Sequence, residues 1–170
     1  MPAYRPRCIA ARDLIRRVTG RPVTCSHELS ANLNGPKRAL TAVLKAGDHI
    51  VAASTLYGGT VGQLGLGFER LGIHTTFVDP ADPDNFRRAM RPNTRAVYGE
   101  TLGNPLVNVF DIEAVAAVAH DHGVPLVIDN TVASPYLCNP FAFGADIVVH
   151  SATKYLGGHG TTMAGVVGNT

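Results

Sequence analysis

The stretch from residue 149 to residue 160 of this chain is Val149-His150-Ser151-Ala152-Thr153-Lys154-Tyr155-Leu156-Gly157-Gly158-His159-Gly160. A short apolar strand ends here in hydroxyl residues, a lysine and a glycine-rich loop. Lys154 is the only lysine after Lys45, whereas surface lysines are normally scattered over helix faces. A lone lysine directly after a strand indicates an amine that forms a Schiff base with a carbonyl compound.

The pattern of a short apolar strand followed by polar residues recurs upstream. We predict strands over 49–54, 74–78, 94–98, 126–129 and 146–150, with a last one over 163–167. Helices are predicted over 38–46, 63–71 and 83–90, and a further helix that Asp111 caps runs through His120. Because strands and helices alternate, the fold class is α/β, a mostly parallel sheet with helices on both faces.

Ligands bind such sheets beyond the carboxyl ends of the strands. The residues there are an aromatic, two acids, an amide, three hydroxyls and the lysine, namely Tyr57, Glu100, Asn104, Asp129, Thr131, Ser151, Thr153 and Lys154. Taken singly, Tyr57, Asn104 and Asp129 are equally well explained as turn or cap residues. In register on successive strands they predict one site.

Composition excludes several classes of protein. With 45% hydrophobic and 16% charged residues among 170, the chain is neither a disordered tail nor a collagen-like repeat. No apolar run is long enough to cross a bilayer. The three cysteines, Cys8, Cys25 and Cys138, are too widely and irregularly spaced for a disulfide framework or a metal clip. We therefore expect a cytoplasmic protein with reduced thiols and no bound metal.

The charge divides the chain into two unlike parts. Residues 1–45 contain nine Lys and Arg against two acids, a balance of +7, and residues 46–170 contain six against eleven, a balance of −5. Four prolines interrupt any periodic element before about residue 36. We expect residues 1–36 to be a basic extension of doubtful structure, and whether it is genuine or a frameshifted stretch stays open.

The segment 149–160, together with Asp129-Asn130-Thr131 and Leu56-Tyr57-Gly58-Gly59-Thr60, resembles the Cys/Met-metabolism family of pyridoxal-phosphate (PLP)-dependent enzymes. Within that family the run Gly157-Gly158-His159-Gly160-Thr161 is most similar to O-acetylhomoserine sulfhydrylases. The resemblance implies the aspartate aminotransferase-like fold, fold type I. It also implies that residues 37–170 are part of a PLP-binding domain whose C-terminal substrate domain is absent.

The resemblance assigns catalytic roles to Lys154 and Tyr57. Lys154 would bind the cofactor aldehyde and then move the proton at the substrate Cα. Asp129 would pair with the pyridine nitrogen and keep it protonated, and Tyr57 would stack on the ring.

The other cofactor-binding residues follow from the same resemblance. Asn104 would bond the phenolic oxygen, while Ser151 and Thr153 would donate hydroxyls to the phosphate. Thr131 is either a residue beneath the ring or a hydroxyl that satisfies backbone groups. Glu100 is either an orienting group or a member of a plain salt bridge.

The implied reaction is γ-replacement, in which an O-acyl-homoserine exchanges its acyl group for sulfide or a thiol in sulfur amino-acid metabolism. Alternatives are cystathionine γ-synthase, γ-lyase or methionine γ-lyase activity, or a truncated remnant without catalysis. The implied partners are a small amino-acid substrate and further copies of the chain, since the family forms tetramers. Neither nucleic acid nor membrane is expected.

Overall fold

The computed structural model describes residues 23–26, 35–161 and 163–169, and its centre is a seven-stranded sheet. The strands are β1 (Val23–Ser26), β2 (His49–Ala53), β3 (His74–Val78), β4 (Thr94–Glu100), β5 (Leu126–Asp129), β6 (Ile147–Ser151) and β7 (Gly165–Asn169). Their order in the sheet is β1-β7-β6-β5-β4-β2-β3. The four pairings among β2 to β6 are parallel, and only the two that involve β7 are antiparallel. The predicted mostly parallel sheet is confirmed.

The helices lie between the strands, as the alternation predicts. They are α1 (Gly35–Val43), α2 (Gly58–Gly62), α3 (Pro83–Ala89), α4 (Ile112–Asp121) and α5 (Ser134–Leu137), with a π-helix at Gln63–Gly67 and a 3-10 helix at Pro140–Phe143. Asp111 accepts the Ala114 N–H at 3.0 Å and so caps α4 as predicted. No helix in the described part of the chain has the length and apolarity that a bilayer crossing needs.

The core lies on both faces of the sheet. All five residues of β2 are buried, and so are Leu126, Val127 and Ile128 of β5. Since successive side chains of a strand point to opposite faces, burial of consecutive residues means that both faces are covered. Each such apolar side chain contributes about 1.5–3 kcal/mol of burial free energy. The buried strands form a rigid base for the polar residues that follow them.

The glycine-rich segment after β2 differs from its prediction. We predicted a helix only from residue 63, whereas α2 begins at Gly58 and continues into the π-helix. The N–H groups of Thr60 and Val61 both donate to the Tyr57 carbonyl, and Leu64 and Phe68 are buried in the core. Tertiary packing thus outweighs the low helix propensity of glycine.

The amino-terminal part also differs from its prediction. Within residues 1–36, for which we expected no element, the structure has strand β1 and the start of α1; the remainder lies outside the described residues. β1 pairs with β7 over four residues, Val23 opposite Gly168 to Ser26 opposite Gly165. Such a short strand is held by its partner's backbone rather than by its own sequence pattern, so periodicity could not reveal it. Helix α1 begins and ends three residues before the predicted 38–46.

Candidate active site

Strand register brings the polar residues to the carboxyl edge of the sheet, defined here as Tyr57, Glu100, Asp129, Thr131 and Ser151. Glu100 at the end of β4 is the register partner of Asp129 at the end of β5. Because paired residues of parallel strands share a face, the two carboxyl groups lie side by side. Asp129 is in turn paired with Val149, two residues before Ser151. Ser151 therefore lies on the same face.

The Asp129 carboxylate is half-buried and has unequal oxygens. Its Oδ1 accepts hydrogen bonds from the backbone N–H and the hydroxyl of Thr131. Its Oδ2 has only the Tyr98 hydroxyl, at 3.5 Å, the outer limit of a hydrogen bond. Among the described residues no ion pair involves Asp129. Burial raises the pKa of Asp129, although the Thr131 bonds act in the opposite direction. Oδ2 can thus accept a further, charged donor.

Glu100 is the neighbour of Asp129 in the sheet and also contacts the backbone of Tyr57. The side chain of Glu100 is buried, and its Oε1 accepts the backbone N–H of Tyr57 at 2.8 Å. Burial raises the pKa of Glu100 to about 7; the Tyr57 bond lowers it and the charge of Asp129 raises it further. The orienting role that the sequence left open for Glu100 has a direct contact to support it, and in the described part of the chain Glu100 makes no salt bridge.

Thr131 links Asp129 to the next strand. Its hydroxyl donates to Asp129 Oδ1 and accepts the backbone N–H of Ser151 at 2.7 Å. This contact supports the interpretation in which the Thr131 hydroxyl satisfies backbone groups, and a place of Thr131 beneath the ring stays a prediction. Through Thr131, the ends of β5 and β6 are held in a fixed relation.

The Lys154 side chain is exposed and lies in a tight loop after β6. The Lys154 N–H donates to the Ser151 carbonyl at 3.1 Å, and the Gly158 N–H donates to the Lys154 carbonyl at 2.9 Å. A Cβ on Gly157 would lie 2.5 Å from the Ala152 backbone oxygen, so only glycine allows this fold of the loop. The Thr153 hydroxyl accepts the Ala164 N–H at 3.1 Å and so ties the loop to the start of β7.

Tyr57 and Asn104 lie at the neighbouring strand ends. Tyr57 precedes α2, and its side chain is 51% exposed. Asn104 follows β4 and is exposed; its backbone N–H donates to the Thr55 carbonyl at 3.3 Å. The structure thus places both residues beside the end of β2, as the sequence predicts. The contacts among described residues do not join the Asn104 side chain to the carboxyl edge.

Tyr98 is a residue of this site that the sequence analysis missed. It is fully buried two positions before Glu100 on β4, so both side chains share a face. Burial and the charges of Asp129 and Glu100 raise the pKa of Tyr98 well above its ordinary value, which keeps the phenol neutral and able to donate to Asp129. Period-two spacing from Glu100 was the signal in the sequence that could have found it.

The donor set suits an organic cation better than a metal ion. No group of three or more potential ligands among His, Cys, Asp and Glu occurs in the part of the chain that the structure describes. A planar, positively charged ring that carries an N–H fits Asp129 Oδ2, since it would supply the missing counter-charge. An aromatic side chain, hydroxyl donors and a lysine lie at the same edge.

Comparison with known proteins agrees with this chemistry. Residues 29–170 match the model of the family described as Cys/Met metabolism PLP-dependent enzyme. The chain belongs to this family. Within the family, PLP is the cofactor, and the residues of the carboxyl edge fit its cationic ring as described above.

Relatives in this family include sulfhydrylases and lyases. The O-acetyl-L-homoserine sulfhydrylase of Leptospira meyeri is 58% identical over 129 residues, which are 76% of this chain and 29% of that protein. The L-methionine gamma-lyase of Porphyromonas gingivalis is 45% identical over 163 residues, 95% of this chain and 40% of that protein. This chain therefore spans less than half the length of these curated relatives.

A solved structure in the family has the same fold. It is assigned as an O-acetylhomoserine (thiol)-lyase from Campylobacter jejuni, and it superposes with a TM-score of 0.88 at 29% identity over 96% of this chain and 40% of its own. That structure contains an N'-pyridoxyl-lysine-5'-monophosphate residue. The family's fold is thus the fold observed for this chain, and the predicted fold class is confirmed.

Proposed function

We propose that this chain is the PLP-binding part of an enzyme that catalyses γ-replacement on an O-acyl-homoserine. The substrate class is O-acetylhomoserine with sulfide or a thiol, and the product is homocysteine or a relative. The observation that carries the proposal is the carboxylate of Asp129, half-buried and without a cationic partner among the described residues, on the edge of the sheet that the Lys154 loop follows. Similarity to sulfhydrylases over most of the chain supports the same reaction class.

When bound, PLP supplies an aldehyde that reacts with a lysine and a cationic ring that accepts electrons from the substrate Cα. Lys154 would hold the aldehyde through Nζ, and the same amine would later move the proton at the substrate Cα. Asp129 Oδ2 accepts the ring N–H and keeps that nitrogen protonated. Asp129 is held for this purpose by Thr131 and Tyr98, which bond its two oxygens.

The remaining residues bind and orient. The Tyr57 side chain packs on the face of the ring, and Asn104 donates to the phenolic oxygen. The hydroxyls of Ser151 and Thr153 donate to the phosphate. The Thr153 hydroxyl accepts the Ala164 N–H at 3.1 Å and donates to the Ala164 carbonyl at 3.4 Å, so it would turn its one proton from that long bond to the phosphate.

Elimination without replacement is the second candidate. The methionine gamma-lyase relative matches 95% of this chain, more than the sulfhydrylase does. γ-Elimination uses the same cofactor site and the same proton transfers but adds no sulfur nucleophile. The products distinguish the two, since elimination from O-acetylhomoserine releases a keto acid and ammonia, whereas replacement yields a thiol amino acid.

We also propose that the protein self-associates and resides in the cytoplasm. Large apolar side chains are exposed near the carboxyl edge, among them Leu106, Val109 and Leu137. Tyr136 is 89% exposed. Such a concentration of exposed apolar groups favours contact with another protein surface, here a further copy of the chain.

The first test is covalent capture of the cofactor. Purified chain is mixed with PLP, reduced with borohydride, digested and analysed by mass spectrometry. We expect a new absorbance band before reduction and the pyridoxyl-phosphate group on the peptide that contains Lys154. Lys154→Ala should abolish both, whereas Lys45→Ala, which replaces an exposed lysine far from the carboxyl edge, should change neither.

An unchanged spectrum, or equal labelling of the Lys154→Ala variant, would show that the assignment of Lys154 is wrong. Homocysteine formation from O-acetylhomoserine and sulfide is then measured on the wild-type chain and on the same chain joined to the remaining length of the Leptospira meyeri relative. Formation by either, dependent on Lys154, supports γ-replacement. Release of a keto acid without homocysteine would favour the lyase instead.

A further inference from the structure

Glu100 is a buried acid that the proposed chemistry does not use. It ends β4 and is 6% exposed, and its Oε1 accepts the backbone N–H of Tyr57 at 2.8 Å. No cation pairs with it in the described part of the chain. A buried carboxyl without a counter-ion is costly, so its retention at this place requires a reason other than stability.

Three titratable side chains lie on the elements packed against Glu100. Asp129 is its register partner on β5, Tyr98 lies two positions earlier on β4, and Tyr57 precedes α2. None of the three is cationic, and the charge of Asp129 disfavours ionisation of Glu100. Each carboxyl group, once ionised, thus makes the other harder to ionise. No positive charge among the described residues offsets this repulsion.

A cationic ring at Asp129 would supply the missing positive charge. Positive charge beside Asp129 offsets the repulsion, so the Glu100 carboxyl loses its proton to solvent. An ionised carboxylate accepts an N–H about twice as strongly as a neutral acid does. The backbone of Tyr57 would then be held more firmly, and with it the ring that packs on the bound cofactor.

We propose that Glu100 is a positioning residue that couples the charge at Asp129 to the placement of Tyr57. This inference rests on the proposed function, since PLP is the ligand that brings the positive charge. It goes beyond that function because it assigns a proton to the binding step. Cofactor binding near neutral pH therefore releases a proton from Glu100, and the affinity depends on pH through this residue.

The test compares the wild-type chain with Glu100→Gln by calorimetric titration of PLP in two buffers of different ionisation enthalpy. Because the pKa of Glu100 is about 7, this acid is about half protonated at pH 7. We expect the wild type to release about half a proton more per bound PLP than the variant. The titration of PLP itself is common to both proteins and cancels in the difference. Glu113→Gln makes the same change at an exposed site and should behave as wild type.

The affinities give a second, independent expectation. At a pH below the pKa that Glu100 has with PLP bound, both side chains are neutral in the free and the bound protein, and the two dissociation constants should agree. Above pH 7 the variant should bind more weakly, by about tenfold for each unit by which PLP lowers the pKa of Glu100. A loss of affinity that is equal at every pH would contradict the coupling, because a purely structural defect has no reason to follow the ionisation of one acid.

Infrared difference spectroscopy of the wild type keeps the inference testable should Glu100→Gln fail to fold. With 13C-labelled glutamate, addition of PLP at pH 6.5 should remove a protonated-carboxyl band that carries the isotope shift. If PLP binds and neither the band nor the proton count changes, the coupling is wrong and the proposed function stands. If PLP does not bind the wild type at all, both are wrong.

Discussion

The polar residues at the two ends of the parallel strands differ in how fully their hydrogen-bonding groups are satisfied. At the amino edge, defined by His49, Thr76, Arg91 and Thr94, His49 is fully buried and both ring nitrogens are bonded, to Thr94 Oγ1 at 2.8 Å and Thr76 Oγ1 at 2.9 Å. Arg91 donates to both hydroxyls, through its backbone N–H at 2.8 Å and its guanidinium at 3.1 Å. Both ring nitrogens of His49 and both threonine hydroxyls at this edge thus have a partner.

The carboxyl edge leaves polar groups unsatisfied. Asp129 Oδ2 has one long bond, and Glu100 is buried without a cation. Nδ1 of His150 and Oδ1 of Asn108 are also buried, and neither atom has a hydrogen-bond partner among the described residues. An unpaired buried polar group costs about 1–3 kcal/mol. Each such group at this edge therefore lowers the free energy of unfolding. The comparison separates residues that stabilise the sheet from residues that await a ligand.

The largest expected effect is that of Asp129→Asn. Removing one charge of a buried pair costs about 2 kcal/mol or more, so we expect PLP affinity to fall by at least about 30-fold. The same substitution should act in the opposite direction on the free energy of unfolding of the protein without PLP. Burial raises the pKa of Asp129, so its ionised form destabilises the fold as pH rises above the unfolded value, and the amide removes that cost.

Equilibrium urea unfolding and PLP titration measure the two effects on one protein. The apo variant should be at least as stable as the wild type at pH 8. Loss of stability together with unchanged affinity would mean that Asp129 is a structural residue like those of the amino edge.

The next effect is that of His49→Ala. It leaves two hydroxyls with a lost partner and a cavity in the core, so we expect a loss of about 2–4 kcal/mol in the free energy of unfolding. PLP affinity should not change. His74→Ala, which removes an exposed imidazole bonded to Glu69, is the control and should cost less than about 0.5 kcal/mol.

The pH dependence of His49 checks the same cluster. Burial lowers its pKa from 6.5 to about 4, so the folded state binds fewer protons than the unfolded state in this range. Its contribution to stability is therefore complete above pH 6.5 and is lost as pH falls towards 4. Urea unfolding between these pH values should show a smaller loss in His49→Ala, although His150, with its pKa also lowered to about 4, keeps part of it. An identical slope would contradict the assignment.

The smallest effect concerns Tyr57. A Cβ on Gly59 would lie 2.6 Å from the Tyr57 ring, whereas a Cβ on Gly58 meets nothing within 4 Å. The ring is half exposed and can move aside, so Gly59→Ala should fold normally. If Tyr57 packs on the cofactor, the displaced ring should weaken PLP binding about two- to tenfold. Gly58→Ala is the matched control. Equal PLP affinities in the two variants would show that Tyr57 does not pack on the cofactor.

The strand cores and the strand-end residues were predictable because both depend on short patterns. β3 and β5 have the predicted bounds, and Asp129 is the last residue of β5. β6, which ends at Ser151, lies one residue later than the predicted 146–150. The bond from Tyr57 to Glu100 was not predictable, because it joins the segment after β2 to the end of β4, and no local sequence pattern shows that these two parts of the chain are neighbours. For the same reason β1 was missed. The Schiff-base amine at Lys154 was predicted from its place after a strand, whereas the role of Asn104 comes from the family resemblance. The covalent-capture experiment tests the role of Lys154.

The loop that contains Lys154 joins two neighbouring antiparallel strands, β6 and β7. Ser151 lies opposite Gly165, so residues 152–164 close a hairpin, whereas every parallel pairing in this sheet needs a longer crossover through a helix. Loop-closure entropy rises with length, and contacts close in sequence form at the lowest cost. The segment that presents Lys154 therefore belongs to the most local part of the sheet. Its assembly needs fewer distant parts of the chain than does the group of residues around Asp129, which come from β4, β5 and β6.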